Sequence, residues 1–189
     1  MKTLKYFLSI AFLINFSHVA IAQWQPGAVN ETGHASIILG IGDGFLVTKT
    51  SDLHFGDIKP ISGSGGSISI NPQYGTVSIL SGNFILSGNT SIATFGLQGP
   101  KGKKDYVYTL PTNVVLTSAQ GNTMTVNNIK VYRNPQSGQA GLGEHIGSGQ
   151  TTGQGIASIS VGGTLNINAN QPNGVYSNTT DLKLVIILQ

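Results

Sequence analysis

The chain contains no cysteine and carries few charges. The absence of cysteine excludes disulfides, thiolate metal sites, iron–sulfur clusters and thiol nucleophiles. Charged residues make up 9% of the chain, whereas about a quarter is usual. The one lysine cluster, Lys101, Lys103 and Lys104, is flanked by glycine and proline and is interpreted as a solvated turn. The sequence therefore indicates no nucleic-acid partner, because such binding requires clustered basic residues.

Motifs for catalysis and cofactor binding are also missing. The chain has no H-E-x-x-H, no G-x-S-x-G, no calcium loop and no phosphate-binding loop. His54 alternates with apolar residues and is interpreted as solvent-facing, while Glu144-His145 is interpreted as a polar pair rather than half of a metal site. We therefore predict no catalytic residue, no metal and no cofactor, and a protein that is not an enzyme. A secreted hydrolase is kept only as a residual hypothesis.

The first 22 residues have the pattern of a secretory signal peptide. Lys2 and Lys5 precede an apolar run over residues 7–16, and Ala20 and Ala22 form a small-x-small cleavage pattern. A retained membrane anchor is the weaker alternative, because the apolar run is short for a span. We expect an exported protein that reaches the periplasm and then the cell surface, with no membrane span after cleavage.

After residue 22 the apolar residues alternate or form short runs bounded by Gly, Pro, Asn and Ser. This pattern is typical of short strands in an all-β sandwich or barrel. Gly162-Gly163 predicts a hairpin, and Ser81-Gly82 predicts that residues 76–80 pair with residues 83–86. Residues 134–155 are predicted to form a long loop. The predicted organisation is a signal peptide (1–22), an amino-terminal arm (23–44) and one sandwich domain (45–189).

The arm has one entirely apolar face. Its alternate residues Ala35, Ile37, Leu39 and Ile41 are all apolar, and an extended segment points alternate side chains to one side. These four residues are the candidate donor strand, because such a segment can add to the open sheet edge of a neighbouring subunit. The alternative is that the arm is the first strand of its own domain and covers an edge there.

Several short motifs occur in order along the sandwich and resemble one family. They are Leu53-His54-Phe55-Gly56-Asp57-Ile58, Ala93-Thr94-Phe95 with Gly99, Tyr106 to Pro111, Met124-Thr125-Val126, Val161 to Leu165, Gln171, and Gly174 to Ser177. Together they resemble the bacterial domain-of-unknown-function family 4402. The chain departs from the family pattern at Asn178 and at its end, Ile187-Leu188-Gln189, which lacks an aromatic residue.

The resemblance implies a small exported protein of Gram-negative bacteria with a pilin-like, Ig-like antiparallel β-sandwich. It also implies a periplasmic chaperone and an outer-membrane usher as partners, together with self-association or related subunits. The expected function is a structural subunit of a fimbria-like surface polymer that assembles by β-strand addition and serves adhesion or biofilm formation. The alternative is a monomeric secreted module that binds a glycan or a cell-surface ligand, with residues 134–155 forming its site.

Overall fold

The structure, a computed structural model, describes residues 29–39, 46–134 and 141–189. Every regular element in these ranges is a β-strand, which confirms the all-β prediction. The strands are β1 (Val29–Leu39), β2 (Leu46–Ser51), β3 (Leu53–Pro60), β4 (Gly66–Ile70), β5 (Val77–Ser81), β6 (Phe84–Ser87), β7 (Ala93–Gln98), β8 (Asp105–Thr109), β9 (Val114–Ser118), β10 (Thr123–Arg133), β11 (Gly141–Gly143), β12 (Ile146–Gln150), β13 (Ile156–Ile167) and β14 (Val175–Leu188).

Alternating hydrophobicity determines which face of each strand is buried. In β8, Tyr106 and Tyr108 are buried, while Asp105 and Thr109 on the opposite face are exposed. The same alternation holds in β9 and in the first half of β13. The strands close around one core, whose largest fully buried side chains are Tyr106, Tyr108, Tyr176, Phe55 and Phe95. The arrangement is a β-sandwich, as predicted.

The long strand β13 organises one side of the sandwich. One edge of β13 pairs with β10, and the other pairs first with β7 and then with β4. The hairpin predicted at Gly162-Gly163 is therefore wrong, because both glycines lie inside one continuous strand. A Cβ atom on Gly162 would lie 2.9 Å from the backbone nitrogen of Pro72, so glycine is needed for close approach of the chain and not for a turn.

Two other local predictions are also wrong. Strand β5 pairs with β4, and β6 pairs with β3, so the segments on either side of Ser81-Gly82 do not pair with each other. The predicted loop 134–155 contains two short strands, of which β11 pairs with β10 and β12 with β8. In both cases distant partners supply the pairing, and the local turn residues carry no information about them.

A small polar network closes the end of the sandwich before β14. Gln171 is buried, and its Nε2 atom donates to the Tyr176 hydroxyl at 2.8 Å and to the Thr123 carbonyl at 3.2 Å. The Tyr176 hydroxyl in turn donates to the Pro172 carbonyl at 2.6 Å. The turn that begins at Gln171 is thereby attached to β10 and to the start of β14.

Candidate functional site

Strand β1 lies between β14 and β3. It runs antiparallel to β3 but parallel to β14, and in the described part of the chain it is the only strand that joins these two. The segment predicted to be an arm is thus a sheet strand over residues 29–39 in this single chain. We call the backbone edges that flank it the strand site: residues 175–186 of β14 and Leu53–Ile58 of β3.

The register places the candidate donor residues opposite the core positions of β14. The pairs are Ala35 with Leu182, Ile37 with Leu184, and Leu39 with Ile186. All three β14 partners are buried, with at most 3% of their surface exposed. The fourth candidate, Ile41, lies outside the described residues. The strand site therefore offers an apolar row where the alternating arm is also apolar.

An irregularity in β14 fixes this register. Between the pairs Gly33–Asn178 and Ala35–Leu182, β1 contributes one residue and β14 contributes three. Asn178 holds the conformation of these three residues of β14, because its Oδ1 atom accepts hydrogen bonds from the backbone nitrogens of Thr180 at 2.9 Å and Asp181 at 2.6 Å. Its Nδ2 atom donates to the carbonyl of Val115 on β9 at 2.7 Å. In the sequence Asn178 stands out only as a departure from a family pattern, and no local pattern predicts its part in this register.

The β3 side of the strand site depends on a glycine in the left-handed region. Gly56 pairs with Glu31 of β1 and has a φ of 80°. A Cβ atom there would lie 2.7 Å from the carbonyl oxygen of Ser87, so a side chain would clash. The neighbouring His54 is half-buried rather than freely solvated: Gly56 N–H donates to its Nδ1 atom at 3.0 Å, and this atom lies 2.7 Å from the Asn89 carbonyl. His54 thus lies on the face opposite to the buried Leu53 and Phe55, as predicted, but it is only partly exposed there.

Two tyrosines support β14 from its other edge. In the β8–β14 ladder, Tyr108 pairs with Ile186 and Tyr106 pairs with Leu188. Burial raises the pKa of Tyr106 to about 12, against an opposing effect of the Arg133 charge. Burial likewise raises the pKa of Tyr108, with Arg133 again opposing. Both phenols thus remain neutral and act as packing groups beside the strand site.

Glycines make room for these tyrosines beneath β12. A Cβ atom on Gly147 would lie 2.6 Å from Tyr108 Cζ, and one on Gly149 would lie 2.5 Å from Tyr106 Cζ. Large aromatic rings on β8 are therefore matched to residues without side chains on the paired strand. This complementarity fixes β8 and so holds β14 in the position where it receives β1.

The chemistry of the strand site is backbone hydrogen bonding combined with apolar burial. Among the described residues, no cluster of three or more His, Asp or Glu side chains could hold a metal ion. Glu144, half of the pair weighed as a metal ligand, forms an ion pair with Lys130. The strand site itself consists of backbone hydrogen-bonding groups and apolar side chains, which are the groups that bind an added β-strand.

These features define an all-β sandwich in which an amino-terminal strand completes the sheet between β14 and β3. The model of the domain of unknown function DUF4402 matches residues 45–185, and the chain belongs to this family. The match confirms the resemblance seen in the sequence motifs, and it begins after β1. Neither a curated protein nor a solved structure gave a match. No helix in the described ranges is long and apolar enough to cross a membrane.

Proposed function

We propose that the chain is an exported structural subunit that assembles with copies of itself or with related subunits into a fimbria-like polymer at the cell surface. Assembly occurs by β-strand addition: β1 of one subunit enters the strand site of the next. The observation that carries this proposal is that the family domain, residues 45–185, excludes β1, although β1 is the strand that joins β14 to β3.

Removing β1 from the strand site would leave one edge of β14 without a paired strand. Nine residues of β14 pair with β1, from Val175 to Ile186. Without β1 their backbone groups on that side would lack sheet partners, and exposed sheet edges bind other strands. A domain of this kind therefore requires a strand, either its own or one supplied by a neighbour.

The connectivity allows the strand to come from a neighbour. β1 precedes the sandwich, so it is joined to the domain at its carboxyl end alone, through residues 40–45. An element attached at one end can be exchanged between identical subunits, since the contacts that it makes are the same in both arrangements. Each subunit would then receive one β1 and donate another, and because the exchange runs head to tail it produces a linear polymer.

The apolar face supplies the binding energy that distinguishes this strand from other segments. Residues directly opposite each other on paired strands lie on the same face of a sheet. On this proposal Ile37 and Leu39 enter the core beside Leu184 and Ile186, and burial of each such side chain contributes about 1.5–3 kcal/mol. A periplasmic chaperone would protect the strand site before assembly, and an outer-membrane usher would export the polymer, which serves adhesion or biofilm formation.

The test introduces a charge into β1. Leu39→Asp places a carboxylate opposite the buried Ile186 and should abolish polymers. Ser36→Asp is the matched control, because its partner Lys183 is exposed and tolerates a carboxylate. Deletion of residues 23–41 should also abolish polymers, and a synthetic peptide of residues 23–41 should restore a stable, soluble 1:1 complex. The measurement is light scattering over a concentration series.

Other outcomes would contradict the proposal. If wild-type protein is monomeric at every concentration and the deletion only destabilises that monomer, then β1 acts within its own chain. If the wild-type monomer loses no stability when residues 23–41 are removed, then β1 contributes to neither arrangement. Equal polymer formation by Leu39→Asp and Ser36→Asp would exclude the apolar face as the source of the binding energy.

A further inference from the structure

A groove separate from the strand site opens on the face formed by β4, β5, β10 and β13. Its volume is about 480 Å³, within the range of about 300–1,000 Å³ that is usual for ligand sites. It is bounded by β11 on one side and by the turn that joins β4 to β5 on the other. None of its lining residues belongs to β1, so the groove does not depend on strand exchange.

The floor of the groove is a row of hydroxyl groups. Ser78 on β5 pairs with Ser69 on β4, which pairs in turn with Thr164 on β13. All three residues line the groove. Because paired strands lie about 4.8 Å apart, the three residues follow one another at a regular spacing, with Ser78 exposed, Ser69 half-buried and Thr164 buried. Such a surface donates and accepts hydrogen bonds without carrying charge.

A β-bulge places an amide on the groove wall. The β10–β13 register shifts between Asn127 and Lys130, and Asn128 at this shift has a φ of 48°. Bulges redirect side chains and are common beside binding sites. Residues other than glycine in the left-handed region are also common at functional sites. Asn128 lines the groove and adds both a donor and an acceptor to the hydroxyl row.

The opposite wall is apolar at its rim and neutral overall. Leu142 on β11 lines the groove, and 58% of its surface is exposed. The one cation and the one anion of the lining, Lys130 and Glu144, form an ion pair. An anionic or cationic ligand would therefore find no uncompensated charge to bind.

We propose that this groove binds a neutral, hydroxyl-rich ligand, namely a stretch of uncharged polysaccharide. Sugar hydroxyls match the uncharged Ser, Thr and Asn groups, and the C–H faces of a sugar ring match the exposed Leu142. A structural subunit with this site would hold polysaccharide along the polymer. The site would serve equally well if the protein were a monomer.

The test compares purified wild-type protein, in the form that the cell produces, with variants that lack hydroxyl groups of the groove. The probes are cellopentaose, maltopentaose, mannopentaose and xylopentaose, with tetragalacturonate as the acidic comparison, and binding is measured by isothermal titration calorimetry. Ser69→Ala/Ser78→Ala removes two hydroxyls from the groove floor. The matched control is Ser67→Ala/Ser81→Ala, which removes a second pair of serines on the same two strands outside the groove.

At least one neutral pentasaccharide should bind and raise the melting temperature. The groove variant should weaken that binding about tenfold, the loss expected for two hydrogen bonds, while the control variant stays within about twofold of wild type. Circular dichroism confirms that both variants are folded. The proposal is overturned if no neutral probe binds at millimolar concentration, if both variants weaken binding equally, or if the acidic probe binds at least as tightly.

Discussion

Replacing Gly147 by alanine tests whether the tyrosines of β8 are packed against bare backbone. The new Cβ would lie 2.6 Å from Tyr108 Cζ and 3.0 Å from its Cε1 atom. Tyr108 is only 1% exposed, and its strand is paired on both edges, with β12 and β14. The ring therefore cannot swing away without moving a neighbouring strand, and overpacking of this kind costs about 1–3 kcal/mol.

For a chain of this size, that loss corresponds to a fall in melting temperature of about 2–12 °C. Urea unfolding, monitored by far-ultraviolet circular dichroism, gives the free energy of unfolding. Gly153→Ala is the matched control, because a Cβ atom there has no other atom within 4 Å. It should leave stability unchanged or slightly higher.

A second substitution separates the hydroxyl from the ring. Tyr108→Phe in the Gly147→Ala background removes the hydroxyl contact but leaves the 2.6 Å contact with Cζ, so the rescue should be partial. If Gly147→Ala is as stable as wild type, then the packing of β8 against β12 is looser than described, and the support that it gives to β14 is not established.

Two further predictions concern stability. The pKa of Tyr106 is about 12, so between pH 10 and 12 the unfolded phenol loses its proton while the folded one retains it, and about 3 kcal/mol of stability should be lost as pH rises through that window. Tyr106→Phe should reduce this alkaline loss of stability in urea titrations. It should not lower the free energy of unfolding at pH 7, because the buried Tyr106 hydroxyl has no hydrogen-bond partner. An unchanged pH profile would contradict the raised pKa of Tyr106. Gln171→Leu should lower the free energy of unfolding by about 1–3 kcal/mol because it leaves the Thr123 carbonyl and the Tyr176 hydroxyl without their donor. Gln98→Leu at an exposed position should change it by less than about 0.5 kcal/mol, and equal losses in the two variants would contradict a structural role for the buried network.

The sequence predicted the fold class because burial alternates along several strands, among them β7, β8 and β9. In β8, for example, the buried Tyr106 and Tyr108 alternate with residues that are exposed or half-buried, which is a local pattern. The pairing between strands was predicted less well. Gly162-Gly163 has the appearance of a turn in sequence, but its role depends on the approach of Pro72 from a distant segment. No local pattern contains that information.

The sequence singled out one strand of the candidate site but not the two strand edges that flank it. Alternation in the arm singled out Ala35, Ile37 and Leu39, and the structure places them opposite three buried residues of β14. The parallel direction of that pairing and the extra residues after Asn178 were not predicted, because both arise only when segments more than 140 residues apart in the chain meet. The groove between β11 and the β4–β5 turn was likewise hidden, since its floor joins side chains from three strands.

The absence of cysteine allows one measurement to test the central claim directly. Ile38 and Val185 are register partners in β1 and β14, and Val185 is half-buried rather than part of the core. Replacing both by cysteine places the two thiols on adjacent strands. Paired strands lie about 4.8 Å apart, which is within the range of Cα–Cα distances that a disulfide spans. Val115→Cys/Thr125→Cys between β9 and β10 is the control, because those two strands always belong to the same subunit.

After oxidation, non-reducing gel electrophoresis separates the two arrangements. Strand addition between subunits predicts a ladder of covalent multimers for Ile38→Cys/Val185→Cys that collapses to one band on reduction, whereas the control pair gives a monomer in both lanes. A single monomeric band with an internal disulfide for Ile38→Cys/Val185→Cys would show that β1 pairs within its own chain and would contradict the proposed polymer.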